Sequence, residues 1–143
     1  MENIAIVGIA NLFPGSNAPD AFWQQLLQQQ DNRTPITEVE LGVDPKTYLG
    51  KKGESDKYYC LYCGYIRDFE FDAKELTESY LNQLDDLHHW SLYVTKRALQ
   101  DAGYWQSEKL KDCGLILGNL SFPTKQSNHL FLESYRHVVE LAF

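Results

Sequence analysis

Two short apolar runs, far apart in the chain, constrain its fold more than any other feature. Residues 4–10 read IAIVGIA and residues 113–119 read CGLILGN. Continuous apolar runs of this length, the first rich in β-branched residues, suit strands buried on both faces of a mostly parallel sheet. The first run is followed by Phe13-Pro14-Gly15 and then by SNAPDAFWQQLLQQQ. Pro19 fits the first turn of a helix, Asp20 favours its positive end, and Phe22, Trp23, Leu26 and Leu27 share one face. Strand, tight turn and helix open an α/β fold.

The remaining segments fit that class. Residues 31–57 are punctuated by Pro35, Gly42, Pro45, Gly50 and Gly53 and read as a loop-rich excursion, with a short strand predicted over 36–39. The aromatic stretch YYCLYCGYI, residues 58–66, reads as a strand. A long helix is predicted from near Leu76 to Gly103, with Leu84, Leu87, Val94, Ala98 and Ala102 recurring on one face and Gly103 as the C′ glycine. After the turn SFPT, residues 125–143 read as another helix.

Length and charge exclude several classes. A chain of 143 residues suits one domain. A net charge of −7 with scattered basic residues argues against nucleic acid or an anionic membrane surface as partner. No run approaches eighteen apolar residues, so no membrane span is expected. The N-terminus lacks a basic n-region and reads as a strand and not as a signal peptide. The cysteines are therefore expected as reduced thiols in a cytoplasm.

Each candidate for chemistry has a plainer reading. Cys60 and Cys63 form a C-x-x-C, the spacing of a zinc or redox pair. A structural zinc needs four ligands, and Cys113, His88, His89, His129 and His137 supply no second tight pair. The flanking residues suit a strand and turn, so both cysteines are expected as small buried apolar side chains. Cys113 is expected in the core for the same reason. Asp85-Asp86-Leu87-His88-His89 places acids and histidines together on a helix, but as half a metal site at most. Ser121, in GNLSFPT, lacks the glycines of a nucleophile elbow. Gly8, Gly15 and Gly118 form no phosphate-binding loop. No catalytic set, metal site or cofactor is expected from these residues.

The chain resembles the β-ketoacyl synthase family. Residues 4–10 with Phe13-Pro14-Gly15 and Phe22-Trp23 match its opening pattern of apolar strand, F-P-G and F-W. Ala98, Leu99, Asp101, Ala102, Gly103 and Tyr104 match its A-L-x-D-A-G-Y helix end, and CGLILGN matches the strand that follows. Cys63-Gly64-Tyr65 falls where the family has Gly-Gly-Phe, which makes the C-x-x-C incidental. The chain departs from the family's D-P-x-x-R by lacking the proline and the arginine after Asp85. The nearest likeness is to ketosynthase domains of polyunsaturated fatty acid and polyketide synthases.

This resemblance implies an incomplete thiolase-like α/β fold, the N-terminal portion of its first half. Residues 1–143 would be the start of a ketosynthase domain, truncated before the catalytic cysteine and inactive alone. The complete domain would catalyse decarboxylative Claisen condensation using a cysteine and two histidines, none of which matches a residue here. An acyl carrier domain and a second ketosynthase-like subunit or domain are the implied partners. Ser121 and Phe122, in a turn at the carboxyl end of a sheet strand, would contribute to the acyl pocket. A non-catalytic module of the chain-length-factor type would carry the same residues, and a small zinc or thiol protein using Cys60 and Cys63 is the third reading.

Overall fold

Proline at 14 and glycine at 15 fix the first turn of the chain. Gly15 has φ +75°, and the N–H of Phe13 and the carbonyl of Ser16 bond at 2.7 Å, with the reverse bond at 2.9 Å. Proline followed by a left-handed glycine is the signature of a type II turn. In the computed structural model, which describes residues 3–67, 69, 83–119 and 135–136, this turn belongs to a unit of residues 10–70. A second unit comprises residues 1–9 and 71–143.

In the unit of residues 10–70, helix α1 runs from Pro19 to Leu27 with proline in its first turn and Asp20 at its positive end. Phe22 brings its ring to 4.5 Å from that of Phe13, so the helix packs on the turn that launched it. Strand β1 (Thr34–Pro35) pairs antiparallel with β2 (Tyr62–Cys63). Pro35 has no N–H to give, which keeps this pairing short. Where a strand is predicted over 36–39, Ile36 and Thr37 instead lead into a one-turn helix, α2 (Glu38–Leu41). Thr37 and Glu40 make a capping box there, and Gly42 closes the helix at φ +79°. The pattern T-x-x-E followed by glycine spelled this out.

The rest of the excursion is loop, as expected. Asp44 caps a 3₁₀ turn at Pro45–Tyr48, and the loop closes through Tyr58 N–H to the Tyr48 carbonyl at 2.7 Å. The aromatic stretch 58–66 keeps strand pairing only at Tyr62–Cys63, beyond an isolated bridge from Tyr58 to Leu49.

In the other unit, α3 spans Asp86–Asp101. Residues 76–82 of the long predicted helix lie outside the described residues; the described helix starts after Asp85, which caps it: the carboxylate accepts the N–H of Leu87 at 3.4 Å. Asp85 is the aspartate shared with D-P-x-x-R, so the pattern's first residue is a helix cap and its proline would occupy N1. The C-terminus is a Schellman motif. Gly103 has φ +70°, its N–H bonds the carbonyl of Gln100 at 3.0 Å, and Tyr104 N–H bonds that of Leu99 at 2.8 Å.

The segment of residues 4–10 lies against this helix end. A Cβ placed on Gly8 would meet the Ala98 carbonyl oxygen and would come within 2.8 Å of Ala102 Cβ and N. Only glycine opposite alanine permits that approach. Beside it, Ile9 N–H donates to the Asp101 carboxylate at 2.9 Å. Gly8 and Ile9 of the first matching block and Ala98, Asp101 and Ala102 of the second are therefore two sides of one contact.

The expected buried strands are not seen as such. Residues 4–10 and 114–119 carry no strand pairing with any described residue. Ile4 is 97% exposed, Ile6 86% and Ile116 97%, and among the described residues no apolar side chain is buried. A strand needs main-chain neighbours on its edges, and no described segment supplies them here. The two-stranded antiparallel β1–β2 pair is the sheet among the described residues, in place of the expected parallel one. Of the predicted helix 125–143 only Tyr135 and Arg136 are described, both helical. No described helix is long and apolar enough to cross a membrane.

Replacing Gly8 with valine is expected to destabilise the protein by about 1–3 kcal/mol, as overpacking does. Urea unfolding would measure it, and amide exchange at Ile9 should speed up as the Asp101 bond is lost.

Candidate functional site

Ser121 and Phe122, the predicted pocket residues, lie outside the described residues. Asn119 ends the described segment of residues 83–119, and an added Cβ would meet nothing within 4 Å at Gly114 or Gly118. What the structure does place are the thiols, a set of polar ties and an open cleft among the described residues.

All three cysteines are free and exposed. This corrects the expectation that Cys60, Cys63 and Cys113 are buried. The aromatic residues around them are not a core: Tyr59 is 64% exposed and Tyr62 58%. Cys60 Sγ lies 3.8 Å from the Tyr62 carbonyl, and Cys113 Sγ lies 3.4 Å from that of Lys109. Among the described residues no group of three or more histidine, cysteine or acidic side chains is placed to hold a metal.

Gly64, in the block Cys63-Gly64-Tyr65, packs on the first turn. A Cβ there would come within 2.9 Å of Pro14 Cγ. That contact explains the glycine and leaves Cys63 unconstrained. An open cleft of about 260 Å³ forms beside it, lined by Phe13, Pro14, Phe22, Leu26 and Gly64 with Gln25, Gln30, Asn32 and Arg33. Gln25 donates its amide to the Gly15 carbonyl. Arg33 pairs with Asp31 at 2.7 Å and holds that carboxylate down to about 2 through its hydrogen bonds. Both side chains are well exposed, so the pair adds little stability.

Arg67 is the most connected polar side chain described. Its guanidinium donates to Glu40 Oε1, Thr34 Oγ1 and the Pro35 carbonyl, each at 2.8 Å, and lies 5.0 Å from the Tyr65 ring centre. One residue thereby joins β1, α2 and the strand-exit segment after β2. Glu40 meets it while also accepting from Thr37 N–H at 2.7 Å and from the Thr37 hydroxyl. Hydrogen bonding to Arg67, then to Thr37, lowers the Glu40 pKa to about 2. The sequence signals of this tie are the T-x-x-E box and a lone arginine after an aromatic strand.

The profile described as "Beta-ketoacyl synthase, N-terminal domain" matches residues 1–140. The chain belongs to the β-ketoacyl synthase family. One of the subunits of the polyunsaturated fatty acid synthase of Thraustochytrium sp. is 30% identical over 95% of this chain and 5% of that protein. Polyketide synthase PksL of Bacillus subtilis is 32% identical over 84% of the chain and 3% of its own length. A solved structure named "PfaC Keto synthase-Chain length factor" is 63% identical, with a TM-score of 0.88, over 99% of this chain and 16% of that one. The chain thus spans a small part of each protein it matches, and its fold is that of the matching part of this solved structure.

Two outcomes check this geometry. Glu40 should titrate by NMR near pH 2, and Arg67→Ala should move its midpoint back toward the ordinary 4.5. Because the folded pKa is depressed, the stability linked to Glu40 is present above pH 4.5 and is lost as the pH falls through about 2. Separately, a thiol reagent without denaturant should modify all three cysteines at the rate of free thiols. A protected pair at Cys60 and Cys63 would contradict their exposure.

Proposed function

We propose that residues 1–143 form the N-terminal portion of a ketosynthase domain, truncated before its catalytic cysteine, within a multidomain synthase of polyunsaturated fatty acids or polyketides. The observation that carries this reading is the 63% identity to the keto synthase-chain length factor structure, sustained over 99% of the chain. The motif contacts agree with it: Gly8 on Ala98 and Ala102, Ile9 on Asp101, and Gly64 on Pro14. On this reading the thiolase-like fold is incomplete, and residues 4–10 and 114–119 wait for neighbouring strands.

The complete domain would extend carrier-bound acyl chains in the cytoplasm. A cysteine takes the acyl group as a thioester and releases the carrier thiol. The malonyl partner then loses CO₂, and the resulting carbanion attacks the thioester carbonyl, freeing the cysteine. The partners are an acyl carrier domain and a second ketosynthase-like subunit or domain. The turn carrying Ser121 and Phe122 borders the acyl pocket.

The likeness to a keto synthase-chain length factor favours one second reading, a chain-length factor that pairs with an active ketosynthase and shapes its pocket. The two differ in whether the reading frame downstream encodes the active cysteine, so sequencing the parent gene separates them.

Incubated with acyl- and malonyl-carrier, the chain should release no CO₂ above background. Turnover by it alone would overturn the assignment of roles. In the complete protein, Phe122→Ala should shift the acyl lengths accepted several-fold, read from product profiles. An unchanged profile would remove that turn from the pocket.

A further inference from the structure

We draw no further inference here: the strongest candidate, the open cleft of about 260 Å³ between the turn at residues 13–16 and α1, has an apolar floor and a rim arginine already paired with Asp31, and nothing in the structure shows what covers it.

Discussion

The contact of Gly8 with Ala98 and Ala102 is the constraint on which the unit of residues 1–9 and 71–143 depends. It sets how closely the N-terminal apolar segment can lie on α3, and any side chain at 8 would push them apart. The bond from Ile9 N–H to Asp101 then fixes the segment along the helix axis. The helix can present those residues because it ends sharply at Gly103, whose left-handed backbone satisfies the last carbonyls. Every position that matches A-L-x-D-A-G-Y acts physically here. Leu99 and Tyr104 close the Schellman bond, Ala98 and Ala102 leave room, and Asp101 holds the segment.

The unit of residues 10–70 is organised by shape and polar ties in place of a buried core. Pro14 receives Gly64, Phe13 receives Phe22, and Arg67 draws together Thr34, Pro35 and Glu40. Hydrogen bonds of this kind each contribute about 0.5–1.5 kcal/mol net, more when charged. They orient segments well, but they do not replace apolar burial as the source of stability. The isoleucines at 4, 6 and 116 are highly exposed, and on the proposed reading they are surface for the rest of the domain to cover.

Local features were the legible part of the sequence. Pro19 and Asp20 announced α1, Gly103 announced the end of α3, and Phe13-Pro14-Gly15 announced its turn, because each acts through its own backbone. The family was legible too, since its blocks are strings of such local devices. Pairing was not legible. The composition of residues 4–10 states that they suit a buried strand, and it cannot state whether a neighbour is at hand. The same holds for the cysteines: small apolar side chains suit a core, but Cys60, Cys63 and Cys113 meet none here. The strand predicted over 36–39 gives way to α2 because the capping box of Thr37 and Glu40 sets the backbone there. The candidate pocket residues Ser121 and Phe122 were reached through the family resemblance, and they lie outside the described residues.

The central claim is that residues 4–9 and 115–117 are interior strands of a complete ketosynthase domain. Amide hydrogen exchange on the isolated chain and on its full-length parent tests it directly. The account predicts rapid exchange of both segments in the chain alone and protection up to the global unfolding limit in the parent. Equal, rapid exchange in both would contradict it.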